Sequence, residues 1–188
     1  LRVLGAFEQA PPWAWFVSQH MPSGFTRSFA ERVDRLTVFE AREAQGGDVL
    51  RPGRVLVAPG GRHLEFEDCG GEIRSRLCEG TRSDRYAPSV DRMFESAAKH
   101  FGARLTALVL TGMGDDGARG VRAVQQAGGR VVAESEATAV VFGMPQQAIR
   151  TGAVDVVAPL EEVAAAIAGL PVAQAGDFGE PQGGEGSS

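Results

Sequence analysis

Short apolar runs, each closed by a turn and most followed by a helix-length amphipathic stretch, constrain this 188-residue chain more than any other feature. WAWFVSQ (13–19), VLVAP (55–59), LTALVL (105–110), RVVAE (130–134) and VDVVAP (154–159) have the length and composition of strands covered on both faces. Between them, Thr26 stands where a helix cap is needed, ahead of Phe29, Val33 and Leu36 at i, i+4 and i+7. Ser89 caps the clearest helix, 88–102, in which Val90, Met93, Phe94, Ala97, Ala98 and Phe101 form one apolar stripe. Further helices are predicted over 117–127, from Pro145 to Gly152, and over 160–169. HLEFEDCGGEIRSRL (63–77) alternates on both sides of Gly70-Gly71 and reads as a β-hairpin. Repeated strand–helix–strand units predict an α/β fold: a doubly wound, mostly parallel sheet with helices on both faces and one antiparallel hairpin.

The length fits one buried domain, placed at 1–170. From about Ala173 the composition turns to Gly, Glu, Ser and Gln, and 171–188 is expected to be a disordered tail. A net charge of −5 without a basic run argues against nucleic acid as partner. No apolar stretch reaches ~18 residues, so no membrane insertion is expected and the chain reads as cytoplasmic. Cys69 and Cys78 flank the Gly-Gly turn without histidines at metal-ligand spacing; they read as reduced structural thiols, with no metal and no cofactor expected.

In a parallel sheet, ligands bind beyond the carboxyl ends of the strands. His20, after WAWFVSQ, and LTGMGDDGARG (110–120), after LTALVL, both fall there. Glycines 112, 114 and 117 spell G-x-G-x-x-G, and Glu134 stands where a ribose-binding acid is expected, so a dinucleotide domain is one reading. Asp115 and Asp116 oppose it, because two carboxylates would occupy the phosphate position. The other reading pairs Asp116 with His20 as a general base and its orienting acid, with backbone N–H groups around Met113 facing a developing oxyanion. His63 and His100 carry no such pairing signal and read as structural.

Five blocks in order carry a family resemblance: SQHMPSGFTRSFAERVD (18–34), LRPGRVLVAPGGRHL (50–64), PSVDRMFESAA (88–98), LTGMGDDGARG (110–120) and ATAVVFGMPQQAI (137–149). From residue 1 to about 169 the chain resembles the catalytic domain of the CheB family of chemotaxis protein-glutamate methylesterases. The resemblance implies a Ser-His-Asp enzyme that hydrolyses glutamate methyl esters, and in many members deamidates glutamines, on the cytoplasmic helices of methyl-accepting chemoreceptors. It assigns His20 as base, Asp116 as orienting acid and Met113 as an oxyanion-loop position, with Asp115 at a variable position.

Two departures bear on activity. The family's nucleophilic serine lies in a Gly-rich turn after a first strand, upstream of LRVLGAF (1–7), which resembles the helix following that turn. Neither that serine nor a G-x-S-x-G elbow occurs among the 188 residues, so the chain alone is expected to be inactive while a longer parent carries the activity. Ser18, two residues before His20, reads as core. Tyr86-Ala87 stands where relatives often carry an arginine. The family's phosphorylatable receiver domain is also absent from these residues. A non-catalytic receptor-binding relative is the alternative reading.

Overall fold

All five apolar runs become parallel strands. The computed structural model describes residues 1–169, so the predicted tail at 171–188 lies outside the described residues. The elements are α1 (Arg2–Gly5), β1 (Trp15–Val17), α2 (Phe25–Leu36), β2 (Glu40–Glu43), β3 (Arg54–Val57), β4 (Arg62–Asp68), β5 (Ile73–Glu79) and α3 (Val90–Phe101), followed by β6 (Thr106–Val109), α4 (Ala118–Gln126), β7 (Arg130–Glu134), α5 (Gly143–Arg150), β8 (Val156–Ala158) and α6 (Val163–Ile167).

The strands form two three-stranded parallel sheets, ordered β1-β3-β2 and β6-β7-β8, with β4-β5 as the antiparallel hairpin. The predicted single sheet is thus divided: β1 and β6 each ladder on one side only among the described residues. Packing joins the halves. Val3 of α1 belongs to the apolar cluster of β7, β8 and α6, while Leu4 belongs to that of α2, β2 and β3. Trp15 packs against both clusters. A third cluster holds Leu56 and Leu64 against Met93, Phe94, Val109 and Val121, which seats the hairpin and α3 beside α4.

Several local expectations shift. Thr26 is not the cap of α2: Gly24, at φ 88°, is the N-cap residue, and Thr26 lies buried in the first turn. Its hydroxyl donates to Glu43 (2.6 Å) and accepts from Gly60 N (3.1 Å), a tertiary bond that outcompetes the local cap. Leu36 is not core; it is 56% exposed, and Ala30 joins Val33 on the buried face. α5 starts at Gly143, two residues before Pro145, whose missing N–H costs nothing in a first turn. β2 has no apolar run at all, because Glu40, Arg42 and Glu43 are tolerable on a charged sheet edge. Ser89 caps α3 as predicted, accepting from Arg92 N at 3.4 Å.

Candidate active site

β1 and β6 both end at the same edge of the molecule, and the loops leaving them carry the two predicted partners into contact. His20 Nε2 donates to Asp116 Oδ2 at 2.7 Å across 96 residues of sequence. Because Asp116 takes Nε2, Nδ1 is the ring nitrogen left to exchange a proton. The His20 side chain remains about a quarter exposed, whereas Asp116 is buried.

Asp116 is held by the amino end of α3. Oδ1 accepts from Ser89 Oγ (2.9 Å) and Asp91 N (2.9 Å), and Oδ2 accepts from Val90 N (2.7 Å) as well as His20. Burial alone would raise the Asp116 pKa; the bonds from His20, from the Asp91 and Val90 N–H groups and from Ser89 outweigh it and hold the carboxyl below its ordinary value. The positive end of the α3 dipole acts in the same direction. The arrangement is reciprocal: Asp91, in the first turn of α3, accepts from Gly117 N (2.9 Å) and Gly120 N (2.7 Å) at the start of α4. Each helix receives a carboxylate from the other's leading segment, which fixes the two N-termini together.

Further participants carry no sequence signal of their role. Tyr86 lies flat on the His20 imidazole, with centroids 4.7 Å apart and planes 9° from parallel. Its hydroxyl donates to Asp115 (3.1 Å), which also binds Arg85 through both carboxylate oxygens. Asp115 therefore uses its acidity locally to anchor the ring that covers His20. His63, fully buried, accepts Ser89 N–H at Nδ1 (3.2 Å) and donates from Nε2 to Asp84 (3.2 Å). It thus braces the residue that braces Asp116. A preceding Tyr or a buried His has no sequence period that marks it for such contacts, so only the tertiary arrangement shows them.

Met113 is 81% exposed on the loop between β6 and α4, and its N–H has no acceptor among the described residues. Met144 N donates to Gly112 O (2.7 Å), so this loop rests on the first turn of α5. Gly114 must be glycine here: φ is 100°, and a Cβ would collide with the Tyr86 hydroxyl. Glu134, the acid of the dinucleotide reading, is buried and committed to Thr111 N (2.8 Å) and Thr138 Oγ1 (3.1 Å), with no free oxygen presented to a ribose. Cys69 and Cys78 are both free thiols, the first exposed. Among the described residues, no group of His, Cys, Asp and Glu is arranged to hold a metal ion, and no helix is long and apolar enough to cross a membrane.

The Asp84 carboxyl gives a stability prediction. Thr81 N–H, His63 and the Thr81 hydroxyl hold it down at about 2. A depressed carboxyl stabilises the fold above its unfolded pKa, and this contribution disappears as pH falls from about 4 towards 2. The melting-temperature gap between wild type and Asp84→Asn is expected to be widest above pH ~5 and to close by pH ~2, measured by circular dichroism. A gap independent of pH would remove the ionised Asp84 from the brace.

A family model described as CheB methylesterase matches residues 1–167. The chain is 54% identical over 162 residues to protein-glutamate methylesterase/protein-glutamine glutaminase 3 of Geobacter sulfurreducens, covering 86% of this chain and 44% of that protein. It is 50% identical over 169 residues to protein-glutamate methylesterase/protein-glutamine glutaminase 1 of Myxococcus xanthus, covering 90% and 49% respectively. The chain therefore spans just under half the length of these curated relatives. Its structure resembles the crystal structure of the Thermotoga maritima CheB methylesterase catalytic domain, with TM-score 0.84, 35% identity and 88% of each chain covered.

Proposed function

The chain belongs to the CheB methylesterase family, and on that premise we propose that it is the His–Asp half of a serine esterase acting on glutamate methyl esters of chemoreceptor cytoplasmic helices. The observation that carries the reading is the 2.7 Å His20–Asp116 pair, with Asp116 buried on the amino end of α3. Ionised Asp116 fixes the Nε2–H tautomer of His20, leaving the Nδ1 lone pair to accept a serine hydroxyl proton. The serine oxygen then attacks the ester carbonyl, and the tetrahedral intermediate's oxyanion is met by N–H groups of the Met113 loop. His20 returns the proton to the leaving methoxide, giving methanol and an acyl-enzyme that water hydrolyses by the same route. A primary amide in place of the ester would lose ammonia instead, which is the glutamine deamidation named for the relatives.

The divided sheet supports a serine-bearing strand between its halves. β1 and β6 each present an unladdered edge among the described residues, and Trp15 Nε1 on β1 and Ser18 Oγ just beyond it are buried without hydrogen-bond partners. A parallel strand entering between β1 and β6 would complete one continuous doubly wound sheet, satisfy those edges and end, like its neighbours, beside His20. A Gly-rich turn at that end would hold the nucleophile. Ser18 itself makes no bond to His20.

Methanol release from methylated receptor membranes tests the proposal, comparing chain 1–188 alone with a protein carrying a serine-bearing segment ahead of Leu1. The longer protein is expected to release methanol and the chain alone to release none above background. In the longer protein, His20→Ala is expected to lower the rate by at least about a thousandfold. Full activity of that variant would overturn the assignment of the base, and binding of receptor without hydrolysis would favour a docking relative.

A further inference from the structure

We propose that the groove between α4, α5 and the Arg85–Tyr86 segment is a carboxylate-binding subsite that seats an acidic polypeptide segment alongside the reacting glutamyl side chain. The inference deepens the methylesterase reading and rests on it, because the groove opens directly from Asp116 and from Tyr86, the ring lying on His20. It encloses about 540 Å³ and is lined on its far side by Arg119, Arg122 and Arg150.

Charge identifies the occupant. The chain as a whole carries −5, so a cluster of arginines beside the site runs against the overall field. The acidic residues of the groove are already engaged: Asp116 by four donors, Asp91 by the amino end of α4, and Asp115 by Arg85 and Tyr86. Arg119 pairs with Glu95. Arg122 and Arg150 are exposed and have no carboxylate within ion-pair distance among the described residues. Arg150 closes the last turn of α5, where a cation is favourable by itself; Arg122 stands in the middle of α4 and has no such local reason. Two forked guanidiniums facing one groove present donors in the geometry that carboxylates accept. A polypeptide rich in glutamate matches that surface, and unmodified glutamates near a methylated one would steer it in and fix its register.

Fluorescence anisotropy tests the subsite without requiring hydrolysis. The probe is a labelled helical peptide of repeating Glu-Ala-Ala-Ala, compared with its isosteric Gln counterpart, on the full chain. The Glu peptide is expected to bind about tenfold tighter at low ionic strength, with the difference shrinking as salt rises to ~0.5 M. Arg122→Glu combined with Arg150→Glu is expected to abolish that preference. Arg35→Glu, on the exposed face of α2 outside the groove and changing net charge in the same direction, is expected to retain it. Circular dichroism checks that the variants fold. Equal binding of Glu and Gln peptides, or an equal effect of Arg35→Glu, would overturn the subsite. So would a single-stranded RNA that bound as tightly, since the groove would then recognise polyanions at large. Methanol release from the serine-bearing protein reads the esterase assignment separately: its failure with the peptide preference intact leaves an acidic-peptide site without that chemistry.

Discussion

Asp116→Asn in the serine-bearing protein is expected to lower kcat for methanol release by about four orders of magnitude, the scale seen when a triad acid loses its charge but keeps its shape. The reason lies in how the four donors divide. Oδ2 faces His20 Nε2 and Val90 N, and Oδ1 faces Ser89 Oγ and Asp91 N. An asparagine that turns its NH2 group towards His20 opposes Val90 N–H and forces the imidazole into the other tautomer, with the proton on Nδ1, where no base function remains. An asparagine that turns the other way keeps an oxygen on His20 but orphans Asp91 N–H, and it offers no negative charge to the imidazolium formed during the reaction. Leaving one such donor unpaired costs about 1–3 kcal/mol. For a domain of this size that is roughly 2–4 °C per kcal/mol, so Tm is expected to fall together with the rate. Because the Asp116 pKa is held low, the stability gap between the two proteins is expected to narrow as pH drops through the acid range. A kcat within tenfold of wild type would remove Asp116 from the mechanism.

The fold was legible where hydrophobicity writes it. Val55, Val57, Val131 and Val132 are fully buried because parallel strands are covered on both faces, and that burial is what makes short continuous apolar runs stand out. β2 left no such mark, since an edge strand needs backbone partners more than apolar side chains. The division of the sheet between β1 and β6 has no counterpart in the hydrophobic pattern, which predicts one continuous sheet. At the site, His20 and Asp116 were legible because the carboxyl ends of parallel strands are where such groups converge. Tyr86, Ser89 and His63 were not, because each acts through a contact with no fixed offset from its partner: Tyr86 by stacking, Ser89 through both its cap and its hydroxyl, His63 through a buried hairpin face. A cap residue such as Ser89 satisfies its local role so well that its second bond cannot be anticipated from the sequence.

Gly60→Ala is expected to lower both rate and stability through a single added methyl group, without touching the reacting atoms. Gly60 lies in the turn after β3, directly beneath the segment that follows His20. A Cβ there would stand 2.5 Å from Pro22 C and Ser23 N and 2.6 Å from Met21 O, all backbone atoms that no side-chain rotation can move aside. Gly60 N also donates to Thr26 Oγ1, whose own proton goes to Glu43, so the turn cannot retreat without breaking a buried pair. The Met21–Ser23 backbone must therefore give way, and His20 is its immediate neighbour. Displacing a base by about 1 Å is enough to cost on the order of a hundredfold in rate, and forcing an extra methyl into a packed site costs about 1–3 kcal/mol. Both kcat and Tm are expected to fall accordingly. Gly61→Asn is the matched control: Gly61 sits at φ 83° with open space for at least 4 Å around the position a Cβ would take, a conformation that asparagine tolerates. If Gly60→Ala left kcat within twofold while lowering Tm, the turn would support stability alone. If both variants reduced the rate equally, backbone strain around residues 60–61 would be responsible, with no role for the contact to Pro22 and Ser23.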